Sequence, residues 1–446
     1  MLVVAALLTA TAAAATPLDG THTRFHVRKG AGPGGNGLSW ESAFGSLDLA
    51  LARAASGDEV WIAEGRHVPS QRVQAQDPRS ATFFIPAGVR LRGGFEGFEA
   101  DLGQRVPGAA PTVLTGELGG AFGHAYHVVT LGAPTAQQVA QGIVKATELD
   151  ALEISGGRAD TPGNLRGGGI LAEGGFLRMT NCALLDNRAA MGGGAWLAGG
   201  TFRLRGCILR WNHAADRGGA LGIQAAVCHV AGSRLASNSA DRGGAAYVHS
   251  IATDAPGGTP HVAFQSCVLA DNMARVGGAA FLQGSQGAGA GRAWFQSSTV
   301  AFNRAFERSG GIHARVQTPA AAESHVHNSI VWFNDAPLDP ELGGGHDLRF
   351  SNIGDAWWTG VGCLSEDPLF VDASARDLRL QAESPCVDRG DNGLLPADLA
   401  DLDEDGNRWE PLPEDAAGRR RVRGPMTSGL WGVPPSALTD QGAHEG

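Results

Sequence analysis

The sequence contains almost no lysine: Lys29 and Lys145 are the only two among 446 residues, so nearly every cation is an arginine. The formal net charge is -10, and the sequence has no long basic run. Proteins that bind nucleic acids neutralise phosphates with clustered Lys and Arg side chains. The composition therefore argues against a nucleic-acid partner.

Long apolar runs are also missing, and a membrane-spanning helix needs about 20 such residues in succession. The short apolar stretch 2–15 ends in small residues, with A-x-A-like cleavage sites near Ala13 and Ala15. We predict a signal peptide over residues 1–15, although no Lys or Arg precedes it, and hence an extracellular or cell-surface location. The alternative is an Ala-rich N-terminus without a targeting role.

Glycine is abundant, at 66 residues, which is about twice its usual share of roughly 7%. No strict Gly-X-Y period is present, so the chain is not collagen-like. The hydrophobic content of 43% is too high for a disordered chain. The glycines therefore point to frequent tight bends in a folded protein.

A repeat organises the central part of the sequence. Six blocks begin with Cys or Ser and end in Asn five residues later: CALLDN (182–187), CILRWN (207–212), SRLASN (233–238), CVLADN (267–272), STVAFN (298–303) and SIVWFN (329–334). A Gly-Gly pair follows each of the first five blocks, and successive asparagines are 25 to 34 residues apart. Such a period is typical of a solenoid.

The apolar runs within each repeat are too short for helices and alternate as in strands. The sequence therefore predicts an all-β, single-stranded right-handed parallel β-helix over residues 60–334, with two to three strands per coil. The asparagines would then form one stacked column in which the side-chain amides hydrogen-bond to each other. The Cys and Ser residues would form a second column that faces inward. Cys182 and Cys207 lie within plausible disulfide reach, but we favour buried free thiols.

The segment on the N-terminal side of the repeats is predicted to cap the solenoid. Residues 24–59 form this cap segment, and 40–55 fit one amphipathic helix with Phe44, Leu47, Leu51 and Ala54 on one face. Such a helix would cover the open end of the first coil. Residues 335–446 are predicted to be an acidic tail, packed on the solenoid or trailing from it.

Several segments resemble a known group of proteins. GGNGLSWESAFGSLDLALARAASGDEVWIAEG (34–65), GVRLRGGFEGFE (88–99) and LEISGG (152–157) are similar to the opening segments of secreted bacterial right-handed β-helix repeat proteins of the pectin-lyase-like superfamily. DPLFVDASARDLRLQAESPCVDRGDN (367–392) and TDQGAHE (439–445) resemble the tail of the same group. The Gly-Gly-Ala and Asn pattern also resembles the repeats of polymorphic outer-membrane proteins. The resemblance implies a fold and export rather than a particular reaction.

The most specific candidate metal-binding motif in the sequence is a cluster of acidic residues. Carboxylates at positions 1, 3 and 5 followed by a glycine match the start of an EF-hand-like calcium loop, although position 12 is not Glu. The candidate calcium ligands are Asp401, Asp403, Asp405, Asn407 and Glu410. An acidic turn without a metal is the alternative.

Two Asp-Arg pairs stand before Gly-Gly pairs in adjacent repeats. Asp216 and Asp241 would lie about 5 Å apart, one rung spacing, which is also the carboxylate separation of retaining glycosidases. Each has an arginine beside it, Arg217 and Arg242, which favours permanent ionisation. We therefore favour an ion-pair ladder over a catalytic pair for these four residues.

Other candidates are weaker. His325 and His327 would share one strand face, but no third metal ligand is evident from the sequence. Four tryptophan rings have the chemistry to stack on sugars or to pack in the protein: Trp196, Trp211, Trp294 and Trp332. The leading hypothesis is an exported, non-catalytic protein that binds glycans or partners along one flank. The alternatives are a polysaccharide lyase or glycosidase with its site on the central rungs, and a passive structural spacer.

Overall fold

The computed structural model describes residues 22–105, 108–120, 123–140, 145–249, 262–284, 291–316, 322–395, 415 and 439–444. The signal peptide predicted over residues 1–15 and all five candidate calcium ligands lie outside these residues. Within the described residues almost all regular secondary structure is β-strand, most of it in four parallel sheets that run side by side along one axis.

One coil of the solenoid contributes a strand to each sheet in turn. Phe176–Thr180 belongs to sheet I, Ala183–Leu185 to sheet II, Arg188–Met191 to sheet III and Ala195–Ala198 to sheet IV. The next coil repeats this order and pairs with the first in parallel. The predicted right-handed parallel β-helix is therefore confirmed, as the usual hand of parallel crossovers requires. Six central coils have four strands, however, rather than two or three, because sheet III contains only six strands.

The strands have the following bounds. Sheet I contains Arg24–Val27, Glu59–Ala63, Arg90–Phe95, Thr147–Asp150, Phe176–Thr180, Thr201–Arg205, Val227–Ala231, Val262–Gln265, Gly291–Gln296, Ala322–His327 and His346–Arg349. Sheet II contains Gly65–His67, Thr112–Thr115, Leu152–Ser155, Ala183–Leu185, Ile208–Arg210, Arg234–Ala236, Val268–Ala270, Thr299–Ala301, Ile330–Trp332 and Asn352–Ile353. Sheet III contains Arg158–Ala159, Arg188–Met191, His213–Arg217, Ser239–Arg242, Met273–Val276 and Arg304–Arg308. Sheet IV contains Phe83–Ile85, Val129–Leu131, Ile170–Glu173, Ala195–Ala198, Leu221–Gln224, Ala246–His249, Ala280–Gln283, Ile312–Ala314 and Leu342–Gly344.

The remaining elements are short. An antiparallel hairpin follows the solenoid, and two α-helices and three 3-10 turns complete the described structure. The hairpin pairs Phe370–Asp372 with Asp377–Leu380, the helices are Leu47–Leu51 and Ala136–Ala140, and the 3-10 turns are Pro78–Ser80, Leu102–Gln104 and Asn392–Leu394.

The six asparagines form the predicted column at the turn between sheets II and III. Each of the first five donates from its side-chain amide to the side-chain oxygen of the next, at 2.9 to 3.1 Å. That side-chain oxygen also accepts from the backbone N–H of the ladder asparagine in the preceding coil. All six are buried. Because every amide is satisfied, this asparagine ladder stabilises the stacking of the coils.

The residue before each ladder asparagine has a left-handed backbone, with φ between 47° and 60°. These residues are Asp186, Trp211, Ser237, Asp271, Phe302 and Phe333. The conformation is uncommon for residues with a side chain, and none of these six side chains is buried. The turn therefore presents one outward side chain per coil.

The Cys and Ser column is also present, on the inner side of the turn between sheets I and II. Cys182 and Cys207 are both buried, and no disulfide joins them. The Ser233 hydroxyl accepts from the Cys207 backbone N–H at 3.0 Å and donates to the Ala231 carbonyl at 2.8 Å. The prediction of buried free thiols is confirmed.

The N-terminal cap differs from the prediction in extent. The helix covers only Leu47–Leu51, not residues 40–55, although the predicted apolar face is buried. Phe44 cannot be helical because its backbone pairs with Arg24–Val27, donating to the His26 carbonyl at 2.9 Å and accepting from the Arg28 N–H at 3.0 Å. The helix packs against Arg24–Val27 and Phe83–Ile85, the N-terminal edge strands of sheets I and IV.

The parallel sheets also extend beyond residues 60–334 at both ends, from Arg24 to Ile353. Part of the C-terminal segment packs on the outer surface of sheet II. Phe370, Leu378 and Leu380 form one apolar cluster with Ala301 of that sheet and with residues around it. This contact closes the outer face of sheet II in the last coils.

Candidate functional site

The two Asp-Arg pairs lie on the outer surface of sheet III, where the strands His213–Arg217 and Ser239–Arg242 are adjacent. The Arg242 guanidinium donates to the Asp216 carboxylate of the preceding coil, and Arg217 Nε lies 2.9 Å from the other Asp216 oxygen. The structure therefore brings the four candidate residues together as ion pairs.

The pairing continues along the solenoid axis. Arg275 Nε donates to Asp241 Oδ1 at 2.8 Å, and the same guanidinium donates to the Glu307 carboxylate. The hydrogen bond from Arg275 lowers the pKa of Asp241 below its ordinary value. Asp241 is therefore a poor proton donor near neutral pH. Together these residues form the ion-pair ladder that the sequence favoured.

Exposed aromatic rings lie beside this ladder. Trp211 is 54% exposed at the turn between sheets II and III, with the Arg210 guanidinium 4.4 Å from the ring centroid. Phe306, on a strand of sheet III, is 58% exposed, and Phe333 at the turn is 44% exposed. We call the outer surface of sheet III and the adjoining turn the sheet III flank.

The other candidate tryptophans do not lie on this flank. Trp196 is buried on sheet IV under the Arg166 guanidinium, whose carbon is 5.2 Å from the ring centroid. Trp332 packs beside the apolar cluster of the C-terminal hairpin. Trp294 stacks on His325 with ring centroids 4.4 Å apart and planes within 9°.

A second cluster lies on the outer face of sheet I, near its C-terminal end. His325 and His327 project from Ala322–His327, and Asp347 projects from the neighbouring strand His346–Arg349, where it pairs in register with His325. Asp347 Oδ2 is 3.1 Å from His325 Nδ1 and 3.1 Å from His327 Nε2. One ligand atom from each of the three residues lies within 4.8 Å of the other two.

Neighbouring charges orient these three side chains. Arg349 Nε donates to the second Asp347 oxygen at 3.1 Å, and Glu323 Oε2 is 3.8 Å from the remaining His325 nitrogen. Burial tends to raise the pKa of Asp347, but hydrogen bonds from His325, Arg349 and His327 outweigh it and lower that pKa to about 2. Burial lowers the pKa of His327, despite its hydrogen bond to Asp347. Near neutral pH the cluster therefore contains a carboxylate beside a neutral imidazole.

The sequence predicted that His325 and His327 share a face but missed Asp347. A usable signal was present, because Ser351 continues the Cys and Ser column after Ser329. Its hydroxyl accepts from the Ser329 backbone N–H at 3.1 Å. Counting four residues back from each serine aligns His325 with Asp347, which is the observed register.

The described fold is thus a right-handed parallel β-helix with an ion-pair ladder on one flank and a histidine–carboxylate cluster on another. Neither described helix is long and apolar enough to cross a membrane. No protein-family model matches the sequence, and no curated protein matches it.

Two solved structures are similar in architecture. One is described as "Crystal structure of pectate lyase Pel9A", with a TM-score of 0.44 and 12% identity over 83% of this chain and 93% of that chain. The other is described as "Rhamnogalacturonan lyase", with a TM-score of 0.38 and 12% identity over 78% of this chain and 91% of that chain. The fold assignment rests on the strand pairing of this chain.

Proposed function

We propose that this protein is exported and binds glycans on the sheet III flank without cleaving them. The observation that carries the proposal is the combination, on one surface, of exposed aromatic rings and arginines already paired with carboxylates. Export is supported by the sequence of residues 1–15, which resembles a signal peptide.

The aromatic rings supply the binding chemistry. Trp211 presents more than half of its surface to solvent beside Arg210, and Phe306 and Phe333 are exposed on the same flank. Flat apolar rings with polar groups beside them suit the C–H faces and hydroxyl groups of sugars. Successive coils are about 4.8 Å apart, so a chain of sugars running along the axis would meet side chains from several coils.

The charges favour a neutral or weakly charged glycan. Asp216 and Asp241 bind arginines of their own or adjacent coils, and Arg304 and Arg308 lie 3.3 and 3.4 Å from the carboxylates of Asp335 and Asp339. These pairs leave little net charge to attract a polyanion. They also argue against a catalytic carboxyl pair, because a general acid needs a raised pKa.

A glycan array tests binding directly. We expect the full chain to bind neutral glycans, and Trp211→Ala to weaken that binding by about tenfold or more, equivalent to about 1.4 kcal/mol. The matched control is Trp357→Ala, which removes a 66% exposed ring outside the sheet III flank. Equal loss in both variants, or no loss in either, would contradict the assignment of this flank.

A depolymerisation assay tests the absence of catalysis. The wild-type chain is incubated with neutral and acidic polysaccharides, with and without Ca²⁺, and reducing or unsaturated ends are measured. We expect no turnover. Product release that disappears in Asp216→Ala or Asp241→Ala would overturn the proposal in favour of a lyase or glycosidase.

A further inference from the structure

We propose that His325, His327 and Asp347 form a binding site for a divalent transition-metal ion, with Zn²⁺ as the probe. The site lies on the outer face of sheet I and is separate from the sheet III flank. It goes beyond glycan binding and does not depend on it.

The ligand atoms already have nearly the right spacing. Zn²⁺ binds imidazole nitrogen and carboxylate oxygen at about 2.0–2.2 Å in a tetrahedral arrangement, which puts neighbouring ligand atoms about 3.3–3.6 Å apart. Asp347 Oδ2 is 3.1 Å from a nitrogen of each histidine, and all three ligand atoms lie within 4.8 Å of each other. Small side-chain rotations are therefore enough to admit the ion.

The backbone fixes the side chains that carry these atoms. His325 and His327 project outward because Ser324 and Val326 point into the core, where both are fully buried. Asp347 is held opposite His325 by the parallel pairing of the two strands. Two ligands on one strand and one on the next thus converge without any loop rearrangement.

Neighbouring groups orient the ligands as outer-shell partners do in metal sites. Arg349 binds the Asp347 oxygen that faces away from the histidines, leaving the other oxygen for the ion. The Glu323 carboxylate lies 3.8 Å from the His325 nitrogen that would not bind the metal. The Trp294 ring stacks on His325 and limits rotation of the imidazole.

The donor set also indicates which ions fit. Two imidazoles and one carboxylate favour zinc and neighbouring transition metals over Ca²⁺ and Mg²⁺, which prefer all-oxygen sites. Three protein ligands leave a fourth position for water. In the metal-free form Asp347 accepts hydrogen bonds from His325 and His327. The bound ion would replace these hydrogen bonds, and the imidazole nitrogens that bind it would release their protons.

Isothermal titration calorimetry of the full chain, without an affinity tag, tests the site with Zn²⁺, Ca²⁺ and Mg²⁺. We expect one Zn²⁺ per chain at this site and no saturable Ca²⁺ or Mg²⁺ binding there. Glu323→Gln should weaken Zn²⁺ binding by about tenfold, as expected for an outer-shell partner. Asp347→Asn and His327→Gln each remove a ligand and should weaken it more.

The matched control is His213→Gln, which changes an exposed histidine on sheet III. It should leave Zn²⁺ binding unchanged. Thermal melts without metal test whether each variant is folded. If a ligand variant is not folded, His325→Gln takes its place. Absence of Zn²⁺ binding by the wild-type chain, or equal binding by the ligand variants, would overturn the proposal. Glycan binding measured with a chelator present is a separate readout and reports only on the sheet III flank.

Discussion

The carboxyl group of Glu341 accepts two hydrogen bonds from Asn334, one from its backbone N–H at 3.2 Å and one from its side-chain amide. Glu341 thus takes the position that a seventh asparagine would occupy at the C-terminal end of the ladder. Burial raises the pKa of Glu341 to about 8, although the hydrogen bonds from Asn334 act in the opposite direction. This carboxyl group is therefore largely protonated near neutral pH in the folded protein.

The raised pKa predicts that stability falls as pH rises. Between about 4.5, the ordinary pKa of Glu, and about 8, the unfolded chain loses a proton that the folded chain keeps. The free energy of unfolding should decrease over this window by at most about 1.4 kcal/mol per pH unit. Denaturant unfolding of wild type and Glu341→Gln at several pH values measures the effect. Glutamine does not titrate, so the free energy of unfolding of Glu341→Gln should rise relative to that of wild type from pH 5 to pH 8. Parallel curves would show that Glu341 ionises normally.

Interrupting the asparagine ladder should be costly. Asn272 donates to Asn303 and to the Leu235 carbonyl, and its side-chain oxygen accepts from Asn238. Asn272→Ala leaves buried polar groups without partners, at about 1–3 kcal/mol each, so we expect a loss of at least about 2 kcal/mol. Thermal or denaturant unfolding measures it. Gln71→Ala, which removes an exposed amide, is the control and should change stability by less than about 0.5 kcal/mol. A similar small change for Asn272→Ala would contradict the structural role of the ladder.

The inward cysteines should be chemically inert in the folded protein. Burial raises the pKa of Cys207 to about 12, which lowers its thiolate fraction by about a thousandfold relative to a thiol with a pKa of 9. Cys363 is only partly buried. A thiol reagent at pH 8 should therefore modify Cys363 first, and Cys363→Ser should abolish this early phase. In denaturant all six thiols should react. Rapid modification of Cys207 in the folded chain would show that the column is accessible.

Gly222 is needed to make room for Trp196 on the neighbouring strand. A Cβ atom at position 222 would lie 2.5 Å from Trp196 Cε3, well inside van der Waals contact. We expect Gly222→Ala to lower the free energy of unfolding by about 1–3 kcal/mol, as for other overpacked sites. The double variant with Trp196→Leu should lose less than the sum of the two single variants. Gly32→Ala is the control, since a Cβ atom there meets nothing within 4 Å. Strict additivity would show that the two positions are independent.

Features that recur from coil to coil in the central part of the solenoid were predictable from the sequence. The ladder from Asn187 to Asn334 and the column that includes Cys182 and Cys207 appear at regular positions, and both lie where the repeat placed them. The strands of sheet III were not predictable. Arg188–Met191 buries only Ala189, so it lacks the apolar alternation that marks a strand.

Features that occur once were mostly missed. The cap helix is shorter than its amphipathic pattern because the Phe44 backbone pairs with a strand far away in the sequence. Glu341 reaches Asn334 from a segment with no repeat signal. Asp347 joins two histidines 20 and 22 residues earlier, which depends on the register between coils. Local patterns do not carry this long-range information.

The glutamate at the top of the ladder also bears on how such a protein changes in size. The number of coils in a parallel solenoid is not fixed by its geometry. If one whole coil between residues 212 and 303 were duplicated, the side-chain amides of ladder asparagines would still meet at both new junctions. A coil added after residue 334 would instead have to displace Glu341. We therefore expect growth by tandem duplication to occur inside the repeat and not at this boundary.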